Sequence, residues 1–225
     1  MRSRRLPAGM LAVAVATAAL LAGGCGSEDD WSRPHARPSA MGALGPGFLD
    51  RSAPPAPEAT ITPRPGSWDG TRPSEGYRVV LLTAGTDPQT RTLVNAVTQW
   101  AEQESVSLKA VTATRPDQYI ARISEAIRLK PDLVVSAGND LVDPLAMVTP
   151  NHLDQRFLVI GAELAEPTAN VTAADWTGAS FRGEGLGMSS EYDPATFTPD
   201  RAARALRAGV AAVLNGLTGI VIWLN

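Results

Sequence analysis

The sequence predicts an α/β domain over residues 76–225, built on a parallel sheet with helices on both faces. Two observations carry that expectation. Aliphatic runs such as Val79-Val80-Leu81-Leu82, Leu133-Val134-Val135 and Phe157-Leu158-Val159-Ile160 suit strands buried on both sides. Between them lie stretches whose apolar residues recur at helical spacing, so that strands and helices alternate.

Taken in order, residues 78–83 form a first strand that ends in Ala84-Gly85-Thr86-Asp87-Pro88. Leu93, Val97, Trp100 and Ala101 then line one side of a helix. Residues 107–112 alternate in polarity, as a more exposed strand does. Pro116-Asp117 opens a second helix with Ile120, Ile123 and Ile127 on one face, and Lys130-Pro131 stops it. Residues 132–136 are a third strand ending in Ala137-Gly138-Asn139-Asp140, and a short helix runs from Asp143 toward Val148. Residues 157–160 make a fourth strand, and residues 171–174 a weaker fifth leading into Asp175-Trp176. Thr198-Pro199-Asp200 combines a capping hydroxyl, a proline and an acid, the signature of a helix start. Ala202, Leu206, Val210, Val213 and Leu217 line that helix, Asn215-Gly216 ends it, and residues 220–224 form a sixth strand. Residues 185–197 read as an irregular loop.

Ahead of the domain, a basic start (Met1-Arg2-Ser3-Arg4-Arg5) precedes an apolar run and Ala22-Gly23-Gly24-Cys25, the pattern of an export signal. Its end resembles the lipobox of bacterial lipoproteins, although Ala22 stands where that family prefers leucine. The resemblance implies removal of residues 1–24 and lipid on the Cys25 sulfur, palmitate included. It places the protein on the extracytoplasmic face of the cell membrane. An uncleaved anchor is the alternative, but residues 6–22 number only 17 and include Pro7 and Gly9. Residues 25–75 carry nine prolines and apolar residues without period. They predict an extended, poorly packed spacer that stands the domain off the membrane. A net charge of −3, with no Lys/Arg cluster outside the leader, argues against a nucleic-acid partner.

In an open parallel sheet, ligands bind beyond the carboxyl ends of the strands, where strand order reverses. That rule selects Thr86 and Asp87 after the first strand, Asn139 and Asp140 after the third, and Trp176 after the fifth. Thr114 and Glu163 are further candidates. The acids and Asn139 suit hydroxyls or an amine, and Trp176 suits a ring. Each has a plainer role too: Asp87 and Asn139-Asp140 as helix caps, Trp176 as core. Catalytic signatures are missing. There is no Gly-x-Ser-x-Gly elbow, no phosphate-binding loop and no dinucleotide fingerprint after the first strand. His35 and His152 are the only histidines and make no metal set with a single cysteine. The expectation is a non-enzyme without metal or cofactor.

Several segments, in order, resemble the basic-membrane-protein family of type I periplasmic binding proteins. They are Ile123-Ser124-Glu125-Ala126-Ile127, Pro131-Asp132-Leu133-Val134-Val135-Ser136-Ala137-Gly138, Asp143-Pro144-Leu145-Ala146, Phe157-Leu158-Val159-Ile160-Gly161, Asn170-Val171-Thr172 and Gly178-Ala179-Ser180-Phe181-Arg182-Gly183. The resemblance implies a flavodoxin-like or Rossmann-like lobe and a substrate-binding lipoprotein of an ABC transporter. It also implies a nucleoside or sugar-like ligand and a permease partner. The family's Phe-Asn pair after the first strand is absent, leaving Asp87 as the only carry-over there. The family closes two lobes on its ligand, whereas this sequence offers about one. Weak binding, self-association to complete a pocket, or a non-catalytic interaction or sensory role follow as alternatives.

Overall fold

Strand β4 (Arg78–Ala84) is buried at every residue, which is why it reads as an unbroken apolar run. The computed structural model describes residues 30–35, 38–50, 52–179 and 181–225. The expected export signal and Cys25 lie outside the described residues. On one side β4 pairs with β5 (Ser107–Ala113), an edge strand whose exposed positions account for its alternation. On the other side come β6 (Leu133–Ala137), β7 (Phe157–Ile160), β8 (Val171–Trp176) and β9 (Val221–Leu224). Every one of these pairings is parallel. The chain runs from β4 out to β5 and then back across β4 to β6, so the strand order reverses between β4 and β6.

Two helices cover each face. Leu93, Val97 and Trp100 of α1 (Pro88–Gln103) and Leu206, Val210 and Val213 of α4 (Pro199–Leu214) pack with Leu81, Val135 and Ile160. Thr198 caps α4 through its hydroxyl, which accepts the Arg201 amide hydrogen at 3.3 Å. An added Cβ on Gly209 would sit 2.5 Å from Leu158 Cδ1, so glycine lets α4 approach β7 closely. On the opposite face, Ile123 and Ala126 of α2 (Tyr119–Arg128) and Leu145 of α3 (Val142–Val148) pack on Val80, Val134 and Phe157. The turn that Pro116 opens is 3₁₀ before it becomes α2. Among the described residues no helix is long and apolar enough to cross a membrane.

The proline-rich segment differs from its expected role as a poorly packed spacer. Strand β1 (Ala40–Gly42) and β3 (Thr71–Pro73) form a two-stranded antiparallel sheet. Between them β2 (Thr60–Ile61) pairs with β9 and becomes the seventh strand of the main sheet. Phe48 and Trp68, 2% and 3% exposed, join the α1/α4 cluster. Proline bars regular ladders but not the docking of single large side chains, and docking of that kind leaves no period in a sequence.

Upstream, residues 31–35 are held at the amino ends of three strands. Trp31 Nε1 donates to Ser107 Oγ at 2.8 Å, and Lys109 Nζ lies 4.6 Å from the Trp31 ring centroid. The Arg78 guanidinium donates to the Arg33 carbonyl at 2.9 Å. His35 Nε2 meets Asp132 Oδ2 at 2.8 Å, and that carboxylate also accepts the Arg78 amide hydrogen.

Trp68 distinguishes a docked segment from a free spacer. Urea unfolding of Trp68→Ala is expected to show a loss of about 3–5 kcal/mol, the cost of truncating a core aromatic. A change within about 0.5 kcal/mol is what a solvated spacer residue would give.

Candidate ligand-binding site

Thr83 of β4 pairs with Ala137 of β6, so the two loops that follow emerge side by side at the point of strand reversal. Between them is a cavity of about 280 Å³. Asp87, Thr90, Gly138, Asn139 and Asp140 line it from the sheet side, and Tyr192 and Phe197 from a later loop. Gly85 has φ +76°, and a Cβ there would lie 2.7 Å from Asp140 Oδ2 and 3.3 Å from Asp87 Oδ2. Glycine therefore keeps open the space between the two carboxylates.

The carboxylates differ in their commitments. Asp87 caps α1: its Oδ1 accepts the Thr90 amide hydrogen at 2.8 Å and its Oδ2 the Thr90 hydroxyl at 2.6 Å. Burial pushes its pKa up, but those bonds outweigh burial and hold it below the usual value. Asp140 accepts no hydrogen bond among the described residues. Burial first, and then the charge of Asp87, raise its pKa. The Asn139 Oδ1 atom is buried and without a partner among the described residues. Burial first, and then the charges of Asp87 and Asp140, raise the pKa of Tyr192.

The sequence candidates sort unevenly. Asp87, Asn139 and Asp140 meet at the cavity. Thr86 is exposed beside it, and its carbonyl accepts a hydrogen bond from the Arg91 guanidinium. Trp176 has no exposed surface, because its position in β8 turns it into the α1/α4 cluster. It packs edge-on against Phe197 at 5.1 Å and donates Nε1 to Thr196 Oγ1 at 3.0 Å. Phe197 thus lines the cavity, with Trp176 behind it. The Thr114 amide and hydroxyl both donate to Gln118 Oε1. Tyr192 and Phe197 were not among the candidates, since nothing periodic marks the loop that carries them.

A second acidic pair lies on the α2/α3 face. Asp175, next after Ala174 in β8, is 0% exposed, and neither of its oxygens finds a hydrogen-bond partner among the described residues. Burial drives its pKa well above the ordinary carboxylate range. Glu163 adds to that, and the Trp176 amide tempers it without reaching hydrogen-bonding geometry. Glu163 Oε1 accepts from Ser189 Oγ at 2.8 Å and lies 3.2 Å from Arg182 Nε. It thus ties the irregular segment to the sheet. Among the described residues no group of three or more His, Cys, Asp or Glu is placed to hold a metal ion.

No family model matches the chain, and no curated protein matches its sequence significantly. Solved structures give partial likenesses. An ABC-transporter solute-binding protein from Aeropyrum pernix K1 is 21% identical over 45% of this chain and 29% of that one, with a TM-score of 0.41. A fragment provisionally named a lipoprotein, from Peptoclostridium difficile 630, is 15% identical over 62% of this chain and 98% of that one, at 0.45. A periplasmic ribose ABC transporter protein from Conexibacter woesei DSM 14684 is 14% identical over 68% of this chain and 55% of that one, at 0.38. The chain spans well under two thirds of the first and third of these. The fold assignment rests on the strand order and the two helical layers themselves.

Asp175 makes a pH dependence testable. The folded state holds its pKa above the unfolded value, so its contribution to stability is fully present in acid. That contribution is lost as pH rises through the elevated pKa. Thermal melts of Asp175→Asn are expected to match the native chain near pH 4 and to exceed it at pH 8, with a flatter profile between.

Proposed function

We propose that this chain is a cell-surface lipoprotein, lipidated at Cys25, that binds a small solute with its α/β lobe. The solute is nucleoside- or sugar-like, and the role is that of a substrate-binding component related to ABC transporters, working with a permease. One observation carries the solute reading: at the point of strand reversal, an uncommitted Asp140 carboxylate and the Asn139 carbonyl border a cavity beside the Tyr192 ring. No Lys or Arg is among the lining residues, so the site accepts hydrogen bonds and repels anions. Hydroxyls or an amine satisfy it; a phosphate does not. Its volume of about 280 Å³ is just below the ~300–1,000 Å³ of ligand pockets, which favours a ligand of monosaccharide or nucleobase size.

A second reading, a non-catalytic interaction module, draws on Leu186 and Met188, which are 51% and 46% exposed on the segment next to Tyr192. Exposed apolar residues close together in the sequence suit a protein partner or a second copy.

Thermal unfolding against nucleosides and monosaccharides separates the two. A ligand present at one hundred times its Kd stabilises the chain by about 2.7 kcal/mol, saturably. Asp140→Ala is expected to weaken that ligand at least about tenfold, or ~1.4 kcal/mol, while leaving the unliganded melt unchanged. No shift with any solute, together with concentration-dependent self-association, would move the assignment to the interaction module.

A further inference from the structure

We infer that residues 31–35 form a latch that turns the ligand cleft away from the membrane; this rests on the lipid-anchor reading above. In a sheet whose strands all run the same way, every amino end lies on one edge and every carboxyl end on the other. The latch uses only the first edge. Its contacts are Ser107, the first residue of β5; Arg78, the first residue of β4; and Asp132, just ahead of β6. The cleft uses only the second edge, beyond the ends of β4 and β6. The seven residues of β4 separate the two by ~20 Å at ~3.3 Å per residue.

The latch is built to resist rotation. It combines a hydrogen bond to the Trp31 indole, a cation over its ring, a backbone acceptor at Arg33 and the His35–Asp132 contact. These contacts engage three different strands. Five residues separate Cys25 from Trp31, so six residue steps join them and span ~21 Å at most. Lipid on Cys25 therefore holds the amino-end edge near the bilayer surface, and the spacer's remaining length is spent on packing rather than on height. That edge carries exposed Lys130 and Arg156 beside exposed Asp154. Covalent reach sets the orientation, so anionic lipid is not required.

The test uses the acylated full chain in phosphatidylcholine vesicles that contain a headgroup-labelled nitroxide quencher. Cys25 is the only native cysteine, so with its sulfur acylated an introduced cysteine takes a fluorophore cleanly. Asp154→Cys reports the amino-end edge and Glu191→Cys the cleft side, both exposed positions. Several-fold stronger quenching at position 154 is expected, unchanged when anionic lipid is added. Trp31→Ala combined with His35→Ala is expected to abolish the contrast while vesicle binding persists. Equal quenching at the two positions, or stronger quenching at 191, overturns the orientation and leaves the anchor standing. A mature chain that mass spectrometry finds without acyl lipid overturns the anchor reading, and the orientation with it.

Discussion

Parallel pairing with a single reversal of strand order is the constraint from which the rest of this structure follows. Once β4 sends the chain outward to β5 and then back to β6, no helix can cover the gap between the loops that leave β4 and β6. The crevice is a product of connectivity before any side chain is chosen. Its chemistry is decided afterwards, by which residues follow Gly85 and Gly138. Both glycines have positive φ, and a Cβ on Gly138 would come within 3.0 Å of Thr90 Oγ1. The crevice stays hollow because these two positions carry no side chain.

Within the crevice the two aspartates divide their work. Asp87 spends both of its oxygens on Thr90 and so fixes the start of α1. Asp140 has nothing comparable and remains available. A buried acceptor without a donor is costly, and among the described residues the Asn139 carbonyl and the Asp175 carboxylate are such acceptors at the carboxyl end of the sheet, whereas Asp140 is exposed to solvent. Asp175 differs because it is sealed in, so its proton rather than a partner relieves the charge. The loop that closes over this end is tied down by carboxylates as well. Asp143 accepts the Glu184 amide hydrogen, and Glu163 holds Ser189. Acids thus both furnish the cleft and fasten its border.

The central strands were legible because burial on two faces leaves runs such as Phe157-Leu158-Val159-Ile160 that nothing else explains; β7 spans those residues. Caps were legible for a local reason: Thr198 and Asp87 act within three residues of themselves. Three of the candidate site residues were legible from topology alone. The remainder required contacts between distant parts of the chain. Whether Trp176 faced a ligand or the core depended on which side of β8 carries α1 and α4. Tyr192 depended on how a loop without period folds back. Asn170 is similar: its amide nitrogen donates to the carbonyls of Thr149, His152 and Gln155, a brace with no trace in composition. Trp68 and Phe48 were hidden by the prolines around them.

The pairing of β2 with β9 joins Thr60 to Val221, residues far apart in the sequence. A ribosome delivers the amino end first, so the strand needed to seat β2 is made after the other described strands of its sheet. Until it arrives, β8 lacks its outer neighbour, and an open strand edge invites pairing with other molecules. Contacts between such remote residues also slow the search for the native state. The sheet is therefore most vulnerable just before the four residues Val221–Leu224 emerge to complete it.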